Sequence, residues 1–356
     1  MSEAGIDLTE YRPRSRLRLP GHVVERPSSA VIDAHNHLGT AFGGEWVSRR
    51  PSDLLPILDS VGVEAIVDLD GGQGSALIDE IDRWQRPSHG RVAVFCGLDY
   101  DRWAEDPDFG EREARALEAS ASAGARGLKV WKTLGLRARD PSGRLVPPDD
   151  PRLDQVWDAA GRLGLPVIIH VADPVAFFEP LDAENERWEE LRANPDWHFW
   201  PTRPADLPDA PGFPPFDELL RALHRLLQRH PGTTFIGAHV GCAAEDLGWV
   251  SETLDVCPNF HVDIAARLGE LGRQPYTSRA FFERFAERIL FGVDLGPDPR
   301  VYRTYYRFLE TSDESFDYDV EDIPGQGRWQ IHGIGLEDAV LRRVYRENAR
   351  RLIFDR

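Results

Sequence analysis

Short apolar runs alternate with longer amphipathic stretches along almost the whole chain. The series opens at Ala30, Val31 and Ile32, a buried strand running directly into Asp33-Ala34-His35-Asn36-His37. Residues 51–61 fit a helix, with Ser52 or Asp53 as N-cap and Leu54, Leu55, Leu58 and Val61 on one face. Further strands are expected at 63–69, 91–98, 126–132, 166–171, 233–240, 260–265 and 289–294. Between and after them, helical periodicity covers 75–85, 111–123, 150–164, 216–229, 244–256, 279–288 and 336–353.

Eight apolar strands in regular alternation with helices predict an α/β protein built as a single (β/α)8 TIM barrel, in preference to a doubly wound sheet. Such barrels take about 250 residues, and this chain has 356. The surplus falls in an N-terminal arm (1–29) and in two insertions, 177–215 after strand five and 298–336 after strand eight. Residues 30–356 are then one barrel domain. Both insertions lie on the face where barrels keep their active sites.

Charge and composition narrow the function classes. A net charge of −18 argues against nucleic acid or an anionic membrane as partner. The three cysteines, Cys96, Cys242 and Cys257, lack metal-ligand spacing and leave an odd thiol in any pairing, which fits a reducing cytoplasm. No secretory apolar core or membrane-length apolar run is present. Arg12, Arg14, Arg16 and Arg18, broken by Pro13 and Pro20, read as an extended arm over the barrel surface, with a subunit contact as the alternative.

Candidate chemistry sits where the strands end. His35 and His37 are two apart, so in a strand their imidazoles share a side and can share one metal ion. The fourth strand carries Lys129, the fifth ends in His170, the sixth in His239 and the eighth in Asp294. Ionisable groups closing apolar runs need partners to be buried. Metal-ligand residue types on several strands of one barrel converge on one face.

These motifs resemble those of the amidohydrolase superfamily. Asp33-Ala-His35-Asn-His37 is similar to its strand-one metal motif. Pro166-Val-Ile-Ile-His170, Gly237-Ala-His239 and Phe291-Gly-Val-Asp294 resemble its strand-five, strand-six and strand-eight motifs. The ending Tyr345-Arg-Glu-Asn348-Ala349-Arg-Arg-Leu352 resembles the closing helix of the amidohydrolase-2 branch, which includes aminocarboxymuconate-semialdehyde decarboxylase, resorcylate decarboxylases and lactone hydrolases. The resemblance implies that His35, His37, His170 and Asp294 hold one divalent ion, zinc in the first instance and manganese as the alternative. It implies that Asp294 takes a proton from a metal-bound water and that His239 polarises or protonates the substrate. Lys129 is expected to face inward as a charged group that anchors a substrate carboxylate or supports the pocket, in preference to a carboxylated bridge between two metals. Lys132 is expected to face solvent or a helix.

Other residues carry two readings each. Arg267 is either a carboxylate clamp or a surface arginine. Asp263 either supports a ligating histidine or caps a turn. Phe177, Phe178, Trp188, Trp197, Phe199, Trp200 and Phe213 give the 177–215 insertion the character of a lid with an aromatic underside, or of a subunit interface. Tyr302, Tyr305 and Tyr306 are pocket wall or core, and Cys242 has no assigned role. The expected activity is metal-dependent hydrolysis of a carbonyl, amide or lactone in a small molecule. Non-oxidative decarboxylation of an aromatic or unsaturated acid is the runner-up, and a barrel that binds without turnover comes third. A homodimer is expected from the frequency of two-fold assemblies.

Overall fold

Strand pairing follows the order of the chain. The computed structural model describes residues 5, 11, 16–200, 212–321 and 323–355. Its strands are β1 (Val31–Asn36), β2 (Val63–Asp68), β3 (Val92–Val94), β4 (Leu128–Val130), β5 (Val167–Ile169), β6 (Phe235–Gly237), β7 (Phe260–Asp263) and β8 (Ile289–Leu290). All ladders are parallel: β1 pairs with β2 and β2 with β3, while β4 to β8 pair in sequence. A bridge between Cys96 and Leu128 joins the two runs. Hydrogen bonds from Ala34 N to Phe291 O and from Asp294 N to His35 O, both 2.9 Å, close β8 onto β1. The eight strands therefore form a ring.

Side-chain alternation divides two cores. Ile32, Ala34, Ala65, Val67, Ala93, Phe95, Ile168, Ile236 and Leu290 fill the barrel interior. Their neighbours Val31, Val63, Ile66, Val92, Leu128, Val167 and Phe235 point outward and pack in the helical layer. Ala349, Leu352 and Ile353 from the C-terminal helix join the interior cluster and stopper the lower end.

Helix starts follow proline and charge. The first helix runs Pro51–Ser60, with Pro51 at its first position and Arg50 as N-cap; Asp53 accepts a hydrogen bond from Arg50 N at 2.9 Å. The N-cap thus lies two to three residues before the expected Ser52 or Asp53, because proline, lacking an N–H, suits the first turn. Pro275 likewise starts a helix at Pro275–Arg284, four residues ahead of expectation. Phe216–Arg229 matches its expected span and buries Leu219, Leu220, Leu223, Leu226 and Leu227. The C-terminal helix begins at Asp338–Arg342 and continues with wider turns through Arg343–Glu347 and Arg350–Phe354.

Arg12 and Arg14 of the arm lie outside the described residues. Further along, His22 N donates to Asp313 at 2.7 Å, Arg26 Nη1 to Asp59 O at 2.8 Å and Ser28 N to Glu310 at 3.0 Å. Residues 22–28 are thus tied to the barrel's helical layer. No helix among the described residues is long and apolar enough to cross a membrane.

Candidate active site

The strands end earlier than their apolar runs, and the residues just beyond each strand build the site. After Gly237, His239 and Val240 adopt left-handed backbone conformations with φ 57° and 59°; Ala266 after β7 and Asp294 after β8 do the same at 53° and 59°. Non-glycine residues rarely occupy this region. Its repetition at three neighbouring strand ends marks a backbone held in place to aim side chains. Close approach also matters. A Cβ on Gly292 would stand 2.8 Å from the His35 Cβ, so only glycine lets β8 pass the His35 side chain.

Five of the expected residues meet. Nitrogen and oxygen atoms of His35, His37 and Asp294 lie within 4.8 Å of one another, as do those of His35, His239 and Asp263. Asp294 Oδ1 is 3.4 Å from His35 Nε2 and 3.0 Å from His37 Nε2, and Asp294 Oδ2 is 3.7 Å from His239 Nε2. His170 stands at the rim of this group. Its ring centroid is 4.5 Å from that of His239, and its Nε2 faces Asp173 Oδ1 at 3.3 Å.

Two carboxylates fix the rings, and a third lies beneath them. His35 Nδ1 lies 2.8 Å from Asp263 Oδ2, while Asp263 Oδ1 accepts from the backbone of His239 at 2.9 Å. His37 Nδ1 lies 2.6 Å from Asp70 Oδ1, whose other oxygen accepts from Gly39 N at 2.9 Å. Asp33 is buried beneath, accepting from Tyr302 Oη at 2.7 Å and Asn36 Nδ2 at 2.8 Å. Sequence reasoning misses two carboxylates at this site, Asp70 and Asp173. Both lie at or just beyond strand ends, the same signal that singled out Asp294.

The electrostatics favour a cation. With Nδ1 of His35 and His37 turned to carboxylates, each Nε2 faces Asp294 and, when it carries no proton, presents a lone pair to an ion held there. Asp294 Oδ1 is buried without a hydrogen-bond donor. The carboxylate draws positive charge to this place: a proton on His37 and the Lys129 side chain beside His35 supply it, and a cation can take the proton's position. Burial opposes charge on His37, yet Asp294 and Asp70 raise it to about 9. Burial likewise opposes charge on Asp294, and His35, His37 and Lys129 hold its carboxyl well below the usual range. His35, His170 and His239 are all pushed down, chiefly by burial; His170 falls to about 4. Asp33 rises to about 7 through burial, against its hydrogen bonds. The donor set of imidazoles and one carboxylate suits zinc or manganese.

Lys129 faces inward as expected, but beneath the cavity and not on its wall, and Lys132 departs from expectation. Lys129 is fully buried and off the cavity wall, its Nζ 3.2 Å from His35 Nε2. Lys132 instead lines the cavity and pairs with Asp173. The strand ends at Val130, so strand alternation does not reach Lys132.

The cavity above the cluster measures about 500 Å³ and reaches down to His37, His170, His239 and Asp294. Phe177, Trp197, Leu268, Val301, Tyr305 and Tyr318 give it apolar walls. Phe177 and Trp197 stack with centroids 6.5 Å apart, whereas Phe178, Phe199, Phe213 and Phe216 form a small core behind them. Trp188 is half exposed and away from the cavity. Tyr305 lines the cavity and accepts from Ala266 N at 2.8 Å; Tyr302 and Tyr306 are core, bonded to Asp33 and Val61 O.

Three cations reach the cavity wall. Arg187 is neutralised by Glu190 and Glu270, and Lys132 by Asp173. Arg267, buried, donates to Ala266 O at 2.7 Å and has no ion-pair partner among the described residues. Cys242 is pushed up to about 11 by burial, so it stays a thiol at neutral pH.

Comparison with known proteins adds three findings. The amidohydrolase family model matches residues 32–354. No curated protein matches the sequence. Among solved structures, dihydroxybenzoic acid decarboxylase from Polaromonas sp. JS666, with bound manganese and the inhibitor 2-nitroresorcinol, is similar with TM-score 0.55 and 15% identity, covering 91% of this chain and 96% of that one. The 2,6-dihydroxybenzoate decarboxylase complexed with 2,6-dihydroxybenzoate gives TM-score 0.53 and 17% identity, over 91% and 99%. The 5-carboxyvanillate decarboxylase of Sphingomonas paucimobilis gives 0.51 and 14%, over 92% and 99%. At these identities the likeness is one of fold.

Proposed function

Because the chain belongs to the amidohydrolase family, we propose that it is a metal-dependent enzyme that removes carbon dioxide from a small aromatic acid without oxidation. The sequence alone favours hydrolysis. One observation moves the balance: a cavity of about 500 Å³ with aromatic and aliphatic walls stands over the histidine–aspartate cluster, and Arg267 offers it a guanidinium that makes no direct ion pair among the described residues, with Glu190 and Glu245 acting on it only from a distance. An aromatic ring fits the walls and a carboxylate fits the guanidinium. The three similar folds carrying decarboxylase names accord with this reading.

In this reading His35, His37 and Asp294 hold the ion and His170 completes the set. When bound, the ion would supply positive charge to the oxygens of the substrate. Asp263 and Asp70 keep the Nε2 atoms of His35 and His37 turned inward. Arg267 binds the carboxylate, and Phe177, Trp197 and Tyr305 keep water from the ring. As the carbon–carboxylate bond breaks, its electron pair stays on the ring carbon, which then takes a proton. His239, neutral at rest with Nδ1 committed to Ala265 O at 2.8 Å and Nε2 3.7 Å from Asp294, is the group set to relay to that carbon a proton taken up from the substrate hydroxyl or water. Lys129, its pKa lowered by burial, lies beside His35 and supports the cluster from below.

Hydrolysis is the second reading, favoured by Asp294, a carboxylate held ionised and so able to take a proton from water. The test is incubation of the zinc- and the manganese-loaded protein with carboxyl-labelled hydroxybenzoates and, separately, lactones. Labelled carbon dioxide with the matching arene is the expected result. Lactone opening without carbon dioxide release overturns decarboxylation in favour of hydrolysis, and inactivity on both panels rejects the proposal.

A further inference from the structure

A second cavity, of about 420 Å³, opens at the other end of the barrel, between the beginnings of β7 and β8 and the C-terminal helix. His261, Glu287, Arg288, Arg343, Asn348 and Arg351 line it. The metal-type cluster lies at the opposite strand ends: Asp263 closes β7, and Asp294 follows β8. This cavity therefore takes no part in the chemistry above.

Its charges are unbalanced. Arg343 lies 3.5 Å from Glu287. Arg288 and Arg351 have no ion-pair partner among the described residues. Arg288 spends Nε on Phe260 O at 2.7 Å and Nη2 on Cys257 O at 2.7 Å. Arg351 spends Nη2 on Glu287 O at 3.0 Å and on Asn348 Oδ1 at 3.4 Å. Arg288 and Arg351 also repel each other, and burial with that repulsion lowers the Arg288 pKa. Two mutually repelling guanidiniums with no direct carboxylate partner are out of character for a chain of net charge −18. Beside them His261 is 5% exposed, with Nδ1 buried and unpartnered. Burial and the two arginines keep its ring neutral, with a pKa of about 3.

We propose that this lower cavity binds a small, multiply charged anion, a phosphate ester or a polycarboxylate, through Arg288, Arg343 and Arg351. Guanidinium forks match phosphate and carboxylate oxygens in pairs. The volume admits more than a bare inorganic ion. Glu287 and Glu347 border the same cavity, so the favoured ligand carries hydroxyl or ester groups as well as charge.

The test uses the whole chain. Inorganic phosphate, glycerol phosphate and citrate are titrated at constant ionic strength, with sodium chloride as the control, and followed by thermal unfolding and calorimetry. Arg288 caps backbone carbonyls, so its removal endangers folding; the comparison is with R351Q and with R343Q/R351Q, whose side chains are half-buried or exposed. The expected result is saturable binding of a phosphate or citrate probe, weakened about tenfold or more in the double variant, as for the loss of charge-assisted hydrogen bonds. Preference among the probes separates phosphate from carboxylate recognition. Binding that survives unchanged in the double variant belongs to the active-site end and overturns the proposal. So does a wild-type protein that responds to the probes no more than to chloride.

Discussion

Asp263 Oδ2 lies 2.8 Å from His35 Nδ1, a contact that ties the end of β7 to the end of β1 across the barrel mouth. The same carboxylate accepts from the backbone of His239 and from Ala265 N at 3.1 Å. One side chain therefore sets the direction of an imidazole on one strand and the backbone of another. Replacing Asp263 by Ala should lower metal affinity about 10- to 100-fold, the usual range for a carboxylate behind a ligating histidine. Competition with a fluorescent chelator measures it. Unchanged affinity would remove Asp263 from the support of the ion.

His170 and His239 stand side by side, with different expected roles. His170→Asn should reduce bound metal after dialysis well below one equivalent, as should His35→Ala. His239→Asn should keep the metal and lose turnover by about 10² or more, the range for a general acid or base. Metal content by atomic emission together with single-turnover assays separates the two. Full metal in H170N with depleted metal in H239N would reverse the assignment.

Arg267 bears the substrate carboxylate in the proposed function. Arg267→Met should lower kcat/KM by about a hundredfold, the order for truncating one partner of a buried charge pair. An uncharged ester analogue of the substrate should bind the wild type and the variant alike. Equal loss for ester and acid would mean that Arg267 acts on folding.

Tyr302 donates to Asp33 at 2.7 Å in a fully buried setting. Tyr302→Phe removes that donor and leaves a buried carboxyl under-satisfied. The expected cost is about 1–3 kcal/mol, read by urea unfolding. No measurable loss would show that Asn36 and the backbone donors suffice.

His261 makes stability depend on acidity. In the unfolded chain its ring binds a proton below about 6.5, in the folded chain only below about 3. The unfolded state therefore binds more protons between these values. Stability from this group is full above about pH 6.5 and is lost as pH falls toward 3, by about 2 kcal/mol at pH 5. His261→Leu should flatten that part of the stability–pH curve. An unchanged slope would place the acid sensitivity elsewhere.

Short apolar runs are enough to count the strands and to find where each begins, because burial dictates them. Their ends are harder. The run at 233–240 continues apolar past Gly237, yet Ala238, His239 and Val240 leave the ladder in a tight turn that delivers His239 to the site. The same happens at Phe291 to Asp294. Hydrophobicity marks what is buried, and these tails are buried without being strand. Asp70 and Asp173 obey the rule that picks out Asp294, and applying it to every strand finds them. Lys132 escapes it, since its direction depends on a turn after Val130 that no local pattern announces. Part of the aromatic insertion, residues 201–211, lies outside the described residues.

The ring is sealed by its two extremes. Ala34 bonds Phe291, and Ala349, Leu352 and Ile353 plug the interior that Ile32 helps to line. During synthesis the first strand must wait for nearly the whole polypeptide to leave the ribosome before its open edge is covered. Unpaired strand edges and exposed apolar surface attract one another between chains. Slow translation or truncation near the distal helix should therefore harm yield through aggregation long before it touches any group in the reaction.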